Sequence, residues 1–244
     1  DAEEALKRAR EVLKEAADLN RKAVEDARKI LKDAADDNKR ALEEAERVLR
    51  KALEDAKDAR ARNEDERKAL KLLADAAKRI AKLIEDASRA TADALRKIAE
   101  VIKRASELLA RAAKEIARLA REAAERADDE DLRRIAEELA KRLEKLAKEH
   151  KDIADRIAEE LKRLAREHNE IAKELARRAE ELAKKARNAE KAAEDAKRLL
   201  EEAEEASKKL IKAAEELLRE LAKASKRALD EARKLIEEAE KAAR

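Results

Sequence analysis

His150 and His168 are the only histidines in the chain, and 18 residues separate them. Imidazole is the one side chain that ordinarily changes charge near neutral pH, so these two positions invite a chemical reading first. The same interval separates three other polar pairs: Asn20 and Asn38, Ser88 and Ser106, Ser207 and Ser225. On a helical wheel all eight fall inside apolar arcs, which makes each a candidate for burial. Hydroxyl, carboxamide and neutral imidazole groups together supply the donors and acceptors of a hydrogen-bond network. Two sharper chemistries compete with that reading. One is axial ligation of a porphyrin or haem by His150 or His168. The other is Ser–His nucleophilic catalysis, which needs an acid to orient the ring and donors for an oxyanion. Neither requirement is evident beside these residues. Zinc takes three or four strong ligands, and one His among Ser and Asn falls short. No catalytic or metal site is therefore assigned.

Tight turns between helices group these residues by height. A turn near Asn63 sets Asn20 opposite Ser106 and Asn38 opposite Ser88. A turn at Asp128 sets Ser106 opposite His150 and Ser88 opposite His168. A turn near Asn188 sets His150 opposite Ser225 and His168 opposite Ser207. Two layers result: Asn20, Ser106, His150 and Ser225 in one, and Asn38, Ser88, His168 and Ser207 in the other. Helix rise puts them about 27 Å apart. Thr91, one turn from Ser88, replaces the Leu found at Leu73 and Leu109 and is placed with the second layer. A buried polar group without a partner costs roughly 1–3 kcal/mol, so such layers penalise helices in the wrong register. A pH response is the other use of these histidines, since a protonated ring loses its acceptor and carries a desolvated charge. Asn169 occupies the repeat position held by Lys151 on the polar arc and is expected in solvent.

The elements that carry these residues are long helices. Basic-then-acidic or basic-then-Asn breaks occur at 60–66, 126–131 and 184–190, matching cations at helix ends and caps at helix starts. Asn63 with Glu66, and Asp1 with Glu4, have capping-box spacing. The predicted helices run near 2–61, 64–127, 129–186 and 189–243. Within each, apolar residues recur every 18 positions: Leu13, Leu31 and Leu49; Ile80, Ile98 and Ile116; Ile135, Ile153 and Ile171; Leu199, Leu217 and Leu235. Eighteen residues make five turns at about 3.6 residues per turn, so the apolar stripe runs along the axis and asks for little supercoil. Short loops require antiparallel neighbours. The expected fold is all-α: a single elongated, up-down-up-down antiparallel four-helix bundle over 1–244, with straight helices.

Composition narrows the function. The 244 residues include no Gly, Pro, Cys, Met, Phe, Tyr or Trp. Gly alone averages about 7% of natural sequences, so this alphabet is a selected one. Lys and Arg number 64 against 61 Asp and Glu, leaving a net charge of +3 with both signs interspersed. Nucleic-acid binders concentrate cations on one face and add stacking aromatics, and neither feature occurs. No apolar run reaches membrane-spanning length, and no leader pattern opens the chain. Over its whole length the chain resembles parametrically designed, untwisted helical bundles, on the strength of the repeat, the missing residue types and the caps. That resemblance implies a de novo designed scaffold or building block without natural function. It implies no enzyme activity, no cofactor and no required partner, nucleic acid or membrane. It also implies a soluble monomer in the cytoplasm of an expression host, although the Ala-rich flanks leave room for designed self-association.

Overall fold

The computed structural model describes residues 1–62 and 66–244. The expected cap at Asn63 lies outside the described residues. Within them the chain is all-α, with α1 at Ala2–Ala61, α2 at Glu66–Glu125, α3 at Glu130–Lys185 and α4 at Ala189–Ala243. Helix-forming residues without a single Gly or Pro sustain these lengths, because nothing removes a backbone donor or relaxes φ.

The end of α2 falls two residues inside its predicted bound and both ends of α3 fall one residue inside theirs, while the predicted start of α2 at 64 lies outside the described residues. Asp129 Oδ1 accepts the Asp131 amide at 3.1 Å, which places Asp129 outside the helix as its cap. The Arg133 guanidinium, one turn into α3, donates to the Ala124 and Ala127 carbonyls at 3.4 and 3.5 Å. It satisfies carbonyls that a Gly-based terminus would otherwise cover. Asn188 Oδ1 accepts the Glu190 amide at 2.9 Å and the Lys191 amide at 3.4 Å at the start of α4. At the N-terminus Asp1 Oδ1 accepts the Glu3 amide at 3.3 Å, rather than reaching Glu4 as the capping-box spacing suggested.

Packing divides the chain into two compact units, each built from a segment of all four helices. The first comprises Asp1–Lys29, Ile98–Glu160 and Glu216–Arg244, and the second Ile30–Lys97 and Leu161–Glu215. In the first unit, Leu6 near the start of α1 shares a core with Ile116 and Leu119 near the end of α2. Leu139 from early α3 and Ile236 from late α4 complete it. Starts therefore pack against ends, so successive helices are antiparallel. Ion pairs mark the neighbours there: Arg10 with Glu240 for α1–α4 at 3.6 Å, Arg121 with Glu144 for α2–α3 at 2.5 Å, and Arg142 with Glu231 for α3–α4 at 2.6 Å. The second unit repeats the plan, with Leu42 and Leu49, Ile80 and Ile84, Leu175, and Leu199 and Leu200 in its core. There Arg79 reaches Glu44 across α1–α2 at 3.7 Å, and Arg178 pairs with Glu202 across α3–α4. Apart from Glu240, whose side chain is largely buried, these groups are exposed, and exposed pairs contribute about 0–1 kcal/mol each, so apolar burial along the stripe carries the fold.

Candidate functional site

Among the described residues nine polar side chains are buried: the eight singled out by their place in the apolar arcs, Asn20, Asn38, Ser88, Ser106, His150, His168, Ser207 and Ser225, together with Thr91. They fall into two sets, one within each unit.

In the first unit, His150 Nε2 and Ser225 Oγ share a buried hydrogen bond of 2.8 Å whose direction follows the tautomer of the ring. His150 is 5% exposed and Ser225 2%. Asn20, Ser106 and His150 line a common small cavity of about 10 Å³, closed by Val24, Ile102 and Leu221. Three helices therefore deliver their polar residue to one space, and α4 delivers Ser225 to the same imidazole. Ser106 Oγ is buried and has no hydrogen-bond partner among the described residues.

In the second unit, Asn38, Ser88, His168 and Ser207 line a cavity of about 10 Å³ together with Leu42 and Leu175. The bonding differs from the first set. Ser88 Oγ donates to Asn169 Oδ1 at 3.2 Å. Asn169 is half-buried and is a partner of the layer, where the wheel had placed it in solvent. The wheel treats α3 alone, whereas α2 packs beside it and covers the flank of the arc. A signal existed, because Asn169 breaks the repeat at the position where Lys151 stands. Thr91 corrects the expectation in the other direction. Its Oγ1 donates to the Ala87 carbonyl at 2.9 Å, within α2, so its hydroxyl is satisfied by its own helix rather than by the layer.

Burial lowers the pKa of both His150 and His168, because removing the ring from water disfavours its charged form. Both imidazoles are neutral at pH 7, each with one donor and one acceptor nitrogen. Neutral rings among hydroxyls and carboxamides can exchange hydrogen bonds. Among the described residues, no carboxylate hydrogen-bonds to the His150 ring to orient it, as a nucleophilic serine mechanism requires. Among the described residues, no group of three or more His, Asp or Glu is placed to hold a metal ion. The spaces beside the histidines, about 10 to 50 Å³, are far smaller than the roughly 300–1,000 Å³ of organic-cofactor pockets. The residues present therefore do not fit a porphyrin. A depression of about 530 Å³ is an open groove along the α3–α4 turn that touches none of the layer residues.

Compared with known protein families, curated proteins and solved structures, the chain matches none. No helix of the described residues is long and apolar enough to cross a membrane.

Proposed function

We propose that the chain is a designed helical scaffold in which two buried polar layers hold four repetitive helices in one register. The observation that carries this reading is the buried 2.8 Å hydrogen bond between His150 and Ser225, made across neighbouring helices inside the core. A core of repeated Leu, Ile and Ala is nearly indifferent to small rotations and shifts of its helices, since apolar contacts are non-directional. A hydrogen bond with a fixed length and angle is not indifferent, and a displaced helix leaves the imidazole unpartnered. Stability then comes from the apolar stripe and uniqueness from the layers. The scaffold so described is a monomer that catalyses nothing and requires no cofactor.

The test replaces both layers by apolar residues: Asn20, Asn38, His150 and His168→Leu with Ser88, Ser106, Ser207 and Ser225→Ala. Retained or increased heat stability, together with broadened or multiplied amide resonances, supports the proposal. A single sharp set of amide resonances in the variant overturns it.

Burial of both histidines favours one further reading, a response to pH. Acidification charges rings that the fold keeps out of water, so stability falls on the acid side of neutrality. This use of the layers is compatible with the register role.

A further inference from the structure

The hydrogen bonds of the two layers do not reach all four helices. His150 joins α3 to α4 through Ser225 at 2.8 Å, and Ser88 joins α2 to α3 through Asn169 at 3.2 Å. Both residues that α1 contributes are left out. Among the described residues neither Asn20 nor Asn38 forms a hydrogen bond, and Ser106 stays unpartnered in the small space that Asn20 also lines. The ion pairs repeat the pattern. Arg121 bonds Glu144 across α2–α3, while Arg142 bonds Glu231 and Arg156 bonds Glu220 across α3–α4. Along α1, Arg10, Arg60 and Glu44 approach Glu240, Glu190 and Arg79 no closer than 3.6 Å. Arg60 does bond Glu66 at 3.0 Å, but beside the turn, where the two helices are joined in any case. Glu46 faces Glu204 of α4, carboxyl against carboxyl, and such a contact holds only with a proton between them.

The apolar packing of α1 is also the least complete. Leu6 is its one large apolar side chain that is fully buried, against five on α2, three on α3 and two on α4. Leu13, Val24 and Leu42 each keep 8% of their surface exposed. Departure of α1 therefore breaks no bond of either layer, and elements held so lightly open before the rest of a fold. The surface it uncovers is apolar, with Ile116, Leu139 and Ile236 in the first unit and Ile80 and Leu199 in the second. The sequence that fits this surface is α1 itself, whose Leu6, Leu13, Leu42 and Leu49 pack there. A second copy presents the same face, and two opened chains can repair each other by one twofold exchange. Residues 62–65 include no Gly or Pro, so no residue type between α1 and α2 bars a continuous helix when α1 swings out. We propose that α1 is an exchangeable helix, and that the surface it covers on α2, α3 and α4 accepts the α1 of a second copy of this chain. This deepens the register reading: the layers lock α2, α3 and α4 together and leave α1 free to exchange.

The experiment mixes two batches of the full chain, one with a donor dye at Lys223→Cys on α4, the other with an acceptor at Lys22→Cys on α1. At high concentration, below the melting transition, energy transfer between chains should grow with time and travel with a species of twice the chain's mass. An acceptor at Arg104→Cys on α2 should give several-fold less transfer, because α2 stays with its own chain. Glu46→Lys makes the contact with Glu204 attractive and should slow the rise several-fold. Absence of transfer between mixed chains overturns the proposal. So does equal transfer to the α2 label, which would mean that whole hairpins exchange, or a rate that Glu46→Lys leaves unchanged. Any of these leaves the register reading standing, because that reading is judged on the amide resonances of the unmixed chain.

Discussion

His150 Nε2 lies 2.8 Å from Ser225 Oγ, with both side chains buried between α3 and α4. Ser106, in the same unit, is equally buried, yet its Oγ meets no partner among the described residues. Two serines of one layer thus stand in opposite energetic positions. Ser225 satisfies a ring nitrogen that would otherwise be stranded, and Ser106 is itself stranded.

Replacing the two serines should therefore give opposite results. Ser225→Ala leaves a buried imidazole nitrogen unpaired and should cost roughly 1–3 kcal/mol. Ser106→Ala removes an unsatisfied hydroxyl and should be neutral or stabilising by up to about 1 kcal/mol. Urea unfolding midpoints measure both, and equal losses would contradict the assignment.

Asn169 offers a test of the second layer. Surface substitutions usually stay within about 0.5 kcal/mol of neutral. Asn169→Ala should exceed that loss, because it deprives the buried Ser88 hydroxyl of its acceptor. In a double-mutant cycle with Ser88→Ala the two changes should couple, whereas additive effects would show the bond to be idle.

The histidines set a direction for pH dependence. Their folded pKa values lie below the ordinary value of about 6.5, owing to desolvation. Above that value both states are neutral and the fold loses nothing. As pH falls below it the unfolded chain takes up protons that the folded chain resists, so stability declines until the folded pKa is reached. Between pH 7 and pH 5 the loss is at most about 2 kcal/mol per histidine. Thermal melts should show this decline, and His150→Leu with His168→Leu should remove most of it. A decline of the same size in that variant would place its origin in the carboxylates.

One carboxylate works in the opposite sense. Hydrogen bonding to Glu46 raises the pKa of Glu204, and burial raises it further. A carboxyl group that prefers its proton when folded stabilises the fold as pH drops through its raised value. Glu204 thus faces a second carboxyl group across the α1–α4 contact, and Glu204→Gln should stabilise by roughly 0.2–0.5 kcal/mol at pH 7. The gain should shrink toward pH 4, and a gain that is flat with pH would contradict the pairing.

Much of this arrangement was legible in the sequence, and the missing parts share a cause. The bounds of α1 and α4 followed from periodicity and caps, because those signals are local. The retreat of α2 to Glu125 was not legible, since it depends on Arg133 folding back onto the Ala124 and Ala127 carbonyls. The arcs and turns sorted the nine polar residues into two sets. They could not decide which atoms bond, because a hydroxyl rotor has several acceptors within reach. Thr91 chose its own backbone and Ser88 chose Asn169.

The central claim is that the polar layers, not the apolar stripe, make the packing unique. Because the chain contains no cysteine, Lys22→Cys and Lys223→Cys place two nitroxide labels on exposed sites of α1 and α4 in the first unit. Pulsed electron–electron resonance then reports the distance distribution, in the otherwise unchanged chain and in the variant with both layers made apolar. The account predicts one narrow distance with the layers present, and a broadened or second population without them. The same single narrow distance in both would contradict it.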